Sequence, residues 1–123
     1  MQLGDTVVVM GGGFAGQIIA QCAKKKGAER VIVVDVLEGK LQLARKLGAD
    51  YTINAAQTDP VAVIREITKG LGADVVVEAA GSEKSINQAT ALLKHNGIRL
   101  DDIAQAFDLV DKDDAAIKVV LRP

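Results

Sequence analysis

Val7-Val8-Val9-Met10-Gly11-Gly12-Gly13-Phe14-Ala15-Gly16 is the stretch whose reading settles the rest of the chain. Its first four residues are apolar, three of them β-branched, and glycines follow at once. That pattern is a short strand buried on both faces and ending in a tight turn. From Phe14 the period changes. Ala15, Ile18, Ile19 and Cys22 recur at helical spacing and form the expected inward face. Lys24-Lys25-Lys26 then stands where cations suit the carboxyl end of a helix dipole, and Gly27 supplies a left-handed cap. The segment reads as strand, glycine turn, helix.

The same grammar repeats towards the carboxyl end. Val31-Ile32-Val33-Val34 is a second buried strand, followed by a helix from about Glu38 to Leu47 with Leu41, Ala44 and Leu47 inward and Gly48 as its cap. Tyr51-Thr52-Ile53 is a shorter third strand. Asp59 and Pro60 cap and open a helix whose Val61, Ile64 and Leu71 line one face, stopped near Gly70 and Gly72. Asp74 to Glu78 is the fourth strand. The next helix begins about Ser82 and carries Ile86, Ala89 and Leu93 before ending around Asn96-Gly97. Leu-Gly-Ala occurs at 47–49 and again at 71–73, each time between a helix and an Asp that leads into a strand; these are joints of βαβ units rather than a solenoid repeat. Strands alternating with helices give an α/β fold, a doubly wound parallel sheet with helices on both faces.

Residues 98–123 are less regular. Ile98-Arg99-Leu100 is short, Asp101 resembles an N-cap, Ile103, Ala106, Phe107 and Val110 make an apolar face, and Ile117 to Leu121 has the composition of a buried strand. The fourth strand would otherwise be an open edge of Val75, Val76 and Val77 with unpaired backbone groups. The expectation is that Ile117–Leu121 covers it as a parallel neighbour reached by a right-handed crossover, giving order 3-2-1-4 and then the tail strand, with Ile98–Leu100 as a possible short strand between. The alternative is a homodimer in which a second molecule covers that edge.

A length of 123 residues with 49 % hydrophobic and 25 % charged side chains suits one packed domain, taken as residues 1–123. A formal charge of −1 and 2 % aromatic residues offer neither a field for a polyanion nor stacking platforms, which argues against nucleic acid as a partner. Cys22 is the single cysteine, so no internal disulfide is available. Neither a signal peptide nor an apolar run of membrane-spanning length is read, so no membrane is expected and the cytoplasm is the default compartment.

Gly11 to Gly16 satisfies Gly-x-Gly-x-x-Gly, a weak pattern alone that gains weight from the strand before it, the helix after it, and Asp35 at the end of the second strand, about twenty residues on. The physics assigns each residue a task. Gly11 permits the tight turn, Gly13 lets backbone approach a pyrophosphate, and Gly16 lets the helix pack close to the strand. The N–H groups of Phe14 and Ala15 face the phosphates with the helix dipole behind them. Asp35 accepts hydrogen bonds from the adenosine ribose, where a 2′-phosphate would meet a like charge that Val36 cannot neutralise; NAD is therefore preferred over NADP.

Gly4-Asp5-Thr6-Val7-Val8-Val9, the glycine motif, Val33-Val34-Asp35, Lys40-Leu41 with Ala44 and Leu47-Gly48-Ala49-Asp50, and Gly72-Ala73-Asp74-Val75-Val76-Val77-Glu78 with Gly81 resemble the Rossmann coenzyme domain of the medium-chain, zinc-dependent alcohol, polyol and threonine dehydrogenases. The resemblance covers about residues 4–97; residues 100–121 are similar to the extreme carboxyl end of that family. It implies a truncated member in which the catalytic domain is missing and an internal block is deleted near Gly97–Leu100. It also implies cofactor contacts for Lys40 at the adenosine ribose, for Ala79-Ala80-Gly81 near the nicotinamide end, and for Lys118 near the pyrophosphate.

A family-type zinc site needs several Cys, His and acidic ligands, and this chain has one cysteine and one histidine. Cys22 reads as a buried thiol, His95 as a helix-end imidazole, and Asp101-Asp102 and Asp113-Asp114 as cap and solvated loop; no zinc and no catalytic residue are expected. Glu78 is a lone acid at the strand ends, short of an acid–base pair. Three readings stand: an NAD(H)-binding unit inactive alone, the cofactor part of an alcohol or polyol oxidoreductase completed by a catalytic domain on another chain, and a fold-minimised remnant that binds nothing.

Overall fold

The computed structural model describes residues 3–93 and 119–121. In chain order the elements are β1 (Thr6–Met10), α1 (Phe14–Lys25), β2 (Arg30–Asp35), α2 (Glu38–Lys46), β3 (Tyr51–Asn54), α3 (Pro60–Ile67), β4 (Val75–Glu78), α4 (Glu83–Leu92) and β5 (Val119–Leu121). They form a sheet of order β3-β2-β1-β4-β5. The first four strands are parallel, with Val8 opposite both Ile32 and Val76, and Val33 opposite Thr52.

Continuous apolar strands follow from a sheet covered on both sides. Val7, Val9, Val31, Val33, Val75 and Val77 pack under Ala20, Ala23, Leu41 and Ala44 of α1 and α2. The alternate residues Val8, Met10, Ile32, Val34 and Val76 pack under Ile64, Ala89 and Leu92 of α3 and α4. Successive side chains of a strand point to opposite faces, so neither parity can be polar here.

The repeated Leu-Gly-Ala-Asp joints have a common physical task. The Asp50 carboxylate accepts a hydrogen bond from Val31 N–H at 2.8 Å, and Asp74 accepts one from Thr6 N–H at 2.8 Å. Each aspartate thus satisfies a donor at or beside the start of the neighbouring strand and fixes the register there. Lys24 adds an ion pair to Asp50 at 3.0 Å. Asp59 caps α3 by accepting from Val61 N–H, with Pro60 in the first turn, as its sequence predicts. Ser82 and Ser85 cap α4 reciprocally.

Four expectations change. β5 does lie beyond β4, but antiparallel to it, with Val120 opposite Val77. Apolar, β-branched composition says that a segment fits a sheet edge, while its direction depends on the end of the sheet from which the chain returns. In this structure the β4 edge is covered by β5 of the same chain. Second, α1 is rotated relative to the expected face: Gly16, Gln17, Ala20 and Ala23 are buried, whereas Ile18 is 44 % exposed and Cys22 is exposed. Third, Leu47 and Leu71 are exposed, each lying past the end of its helix where the chain has already turned towards the next strand. Fourth, α4 ends at Leu92; Leu93 is extended and bridges Ala73, whose N–H donates to the Leu92 carbonyl at 2.8 Å. The expectations for His95, Ile98–Leu100, Asp101–Val110, Asp113-Asp114, Ile117 and Lys118 lie outside the described residues.

Ile64 and Leu71, placed on one face by their spacing, should separate on mutation. Ile64→Ala is expected to cost about 2–5 kcal/mol in urea unfolding, because a fully buried side chain leaves a cavity. Leu71→Ala, at a residue 65 % exposed, should stay within about 0.5 kcal/mol. Equal losses would contradict this packing.

Candidate functional site

The carboxyl ends of β1, β2 and β4 meet at one crevice, where ligands of open parallel sheets bind. Its first wall is the glycine turn. Gly11 has φ +111°, and a Cβ there would stand 2.9 Å from the Ala79 carbonyl carbon and the Ala80 nitrogen. A Cβ on Gly16 would fall on the Gly11 carbonyl oxygen. These two positions are held to glycine by the fold itself. Gly13 differs: its φ is −73°, and a Cβ there would meet nothing within 4 Å.

Gly13 is also the N-cap of α1, with no side-chain cap and no acid in the first turn. The first helical bond runs from Gln17 N–H to the Gly13 carbonyl at 2.9 Å. The N–H groups of Phe14, Ala15 and Gly16 therefore precede the intrahelical ladder and point, with the positive end of the helix dipole, towards the open side of Gly13. Backbone donors, open space and the lack of a competing carboxylate in that turn fit a phosphate group.

The second wall is the end of β2. Asp35 Oδ2 accepts from Gly12 N–H at 2.7 Å, and Oδ1 accepts from Val36 N–H at 2.7 Å and Leu37 N–H at 2.9 Å. The sequence assigned this carboxylate a ligand; the structure shows that it also pins the glycine turn to the start of α2. Lys40 is exposed in the first turn of α2, and its Cβ would be 3.3 Å from a Cβ on Gly12.

The third wall follows β4. Ala80 lines a crevice of about 190 Å³ together with Met10, Gly11, Val34, Asp35 and Val36. Ala80 thus shares its cavity with Asp35, the acid assigned to the adenosine ribose. The chain makes this turn because Glu78, 3 % exposed, accepts from Ala80 N–H at 2.6 Å and Gly81 N–H at 2.7 Å through Oε1. Burial pushes the Glu78 carboxyl above its ordinary value of 4.5; the Gly81 N–H, the neighbouring Ser85 hydroxyl and the Ala80 N–H offset part of that rise. Glu78 Oε2 has no partner of hydrogen-bond geometry among the described residues.

Two residues escaped the sequence reading. Glu78 was recognised as an acid but not as the support of the turn, and Gln17 was not singled out. Gln17 is buried and donates to the Gly12 and Lys40 carbonyls. A polar residue one position past the last motif glycine, on a face of small residues, was the available signal. Cys22 lies exposed on α1, and among the described residues no three His, Cys, Asp or Glu side chains gather as a metal site. These residues do not fit a zinc ion. No helix among them is long and apolar enough to cross a membrane.

Residues 15–98 match a family described as zinc-binding dehydrogenase. An L-threonine 3-dehydrogenase of Symbiobacterium thermophilum is 43 % identical over 95 residues, covering 77 % of this chain and 27 % of its own length. An NAD-dependent alcohol dehydrogenase of Sulfurisphaera tokodaii is 44 % identical over 93 residues, 75 % of this chain and 27 % of its own. The crystal structure of benzyl alcohol dehydrogenase from Acinetobacter calcoaceticus superposes with a TM-score of 0.75 at 38 % identity, over 78 % of this chain and 26 % of that one. The chain therefore spans about a quarter of the length of these relatives.

Glu78 gives a pH dependence with a definite sign. Between 4.5 and its raised folded value the native state holds more protons than the unfolded state, so this group's contribution is full below 4.5 and lost as pH rises through the folded value. Glu78→Gln keeps an acceptor for the turn and removes the titration. Relative to the unaltered protein, the variant should be most favoured near neutral pH and lose that advantage as pH falls towards 4.5, measured by urea unfolding across the range. A difference independent of pH would contradict the assignment.

Proposed function

Because this chain belongs to the zinc-binding dehydrogenase family, we propose that it is the dinucleotide-binding unit of such an enzyme and that its ligand is NAD(H). The observation that carries the reading is the open side of Gly13 beneath the free donors of α1, set beside a fixed Asp35. NAD, when bound, supplies a nicotinamide ring able to accept or release hydride. The chain's own residues bind and orient it. Phe14 and Ala15 N–H hold the pyrophosphate, and Gly11 and Gly16 bring the helix end close enough for them to do so. The adenosine lies in the crevice along Val36 and Ala80, with Gly81 completing the turn that Ala79 begins. Asp35 accepts from the ribose hydroxyls, and Lys40 flanks them from α2.

Preference for NAD over NADP follows from charge. A 2′-phosphate would place about two negative charges beside a carboxylate that three backbone N–H groups hold in position. The relative from Sulfurisphaera tokodaii, NAD-dependent by name, supports the same choice. Alcohol or polyol oxidoreduction belongs to the longer assembly, whose zinc ligands and substrate pocket come from a catalytic domain outside the described residues. Residues 1–123 act as one domain in this reading, with Lys118 as a further pyrophosphate contact.

Calorimetric titration with NADH and NADPH tests the proposal. NADH should bind, and more tightly than NADPH. Gly13→Ala, which fits the fold without a clash, should leave unfolding unchanged and weaken NADH about tenfold or more. Asp35→Asn should narrow the NADH-to-NADPH preference by about tenfold. Absence of binding to the folded chain at millimolar NADH, or a preference unchanged in Asp35→Asn, would overturn it.

A further inference from the structure

Gln17 stands one turn inside α1, on the face otherwise made of Gly16, Ala20 and Ala23, and is 5 % exposed. Its Nε2 donates to the Gly12 carbonyl at 2.9 Å and to the Lys40 carbonyl at 3.0 Å. Two carbonyl acceptors fix which way the amide faces, since turning it over would set Oε1 against both oxygens. Oε1 is then buried with no donor among the described residues. A buried, unpartnered amide oxygen is a cost that an apolar side chain of the same size would avoid. Against that cost stand two backbone carbonyls that the amide satisfies, and what distinguishes this glutamine is what the two donated bonds join.

They join the walls of the ligand crevice. Gly12 is tied through its carbonyl to Gln17 and through its N–H to Asp35. Asp35 is tied by its other oxygen to Val36 and Leu37, which lead into α2, and the Lys40 carbonyl of α2 returns to Gln17. The hydrogen bonds close a ring from α1 through the glycine turn and the end of β2 to the first turn of α2. Breaking the Gln17 link leaves Asp35 as the hydrogen-bonded tie between the turn and the start of α2 among the described residues.

We propose that Gln17 is a positioning residue for the ribose and phosphate part of the dinucleotide site: its amide sets the separation between the glycine turn and residues 35–40, and so the aim of the Asp35 carboxylate that discriminates a 2′-hydroxyl from a 2′-phosphate. The inference rests on the NAD(H) reading above. Gln17 touches neither reacting atoms nor, in this account, the cofactor itself; it acts through Gly12, Asp35 and Lys40.

Gln17→Met tests this in the full chain, because methionine matches glutamine in length, removes both donated bonds and removes the unpartnered oxygen. Urea unfolding should show a variant that remains folded, since losing a donor to the Gly12 carbonyl is partly offset by removing the unpartnered oxygen. NADH affinity should fall about tenfold, and the preference for NADH over NADPH should shrink by a similar factor. Without any ligand, exchange of the Gly12, Val36 and Leu37 amides should quicken about tenfold while Val8 and Ile32 in the sheet are unchanged. A merely structural glutamine would leave the preference for NADH over NADPH where it was. If the unaltered chain binds NADH and Gln17→Met keeps both affinity and preference, the inference is overturned and the NAD(H) reading stands. If the unaltered chain binds no NADH, that reading fails and the inference fails with it.

Discussion

Helix α1 lies so close to the end of β1 that a single added carbon at Gly16 would clash with the Gly11 carbonyl oxygen. Most of the molecule follows from this backbone contact. Where the helix comes that near the sheet its contact face is built mainly from small residues, Gly16, Ala20 and Ala23 with Gln17 among them, while Ile18 and Cys22 turn to solvent. The same approach delivers the first N–H groups of α1 to the strand ends, beside Gly13, where no side chain intervenes. The packing of α1 and the placement of its first N–H groups are both consequences of one close contact.

Around it, the site is held by carboxylates acting on backbone. Asp35 secures Gly12, Val36 and Leu37, and Glu78 secures Ala80 and Gly81, so two of the three walls of the crevice are turns organised by an acid at the end of a strand. Asp50 and Asp74 serve the opposite end of the sheet in the same way, holding Val31 and Thr6. Charged acceptors give stronger hydrogen bonds than neutral ones, and here each holds backbone N–H groups that the sheet and helices leave unpaired. The acids at the strand ends are thus architectural first, and Asp35 is the one that also faces the ligand in the proposed reading.

The sequence made β1 to β4, their order and the helices between them legible, because buried parallel strands and capped helices leave strong local signals: Val7 to Met10, Asp59-Pro60, Ser82. What stayed illegible was set by tertiary contact. Helical spacing shows that Ile18 and Cys22 share a face, and equally that Gly16, Ala20 and Ala23 share another; the Gly16–Gly11 contact selects between them. Leu47 and Leu71 keep helical spacing after their helices have ended. The antiparallel direction of β5 depends on the route of the returning chain, which composition does not encode. In the site, the motif glycines and Asp35 were visible as a pattern, whereas Gln17 and the supporting task of Glu78 emerge only once two carbonyls and two N–H groups distant in sequence or turned back on the chain are brought within reach.

In the proposed function, backbone donors at the start of α1 form the anion site of a dinucleotide cradle. Amide NMR of the uniformly nitrogen-labelled chain during NADH addition tests it most directly. The account predicts that the Phe14, Ala15 and Gly16 amides shift most, with smaller changes at Val36 and Ala80. Largest shifts on another face of the sheet, or none in a protein that remains folded, would contradict it.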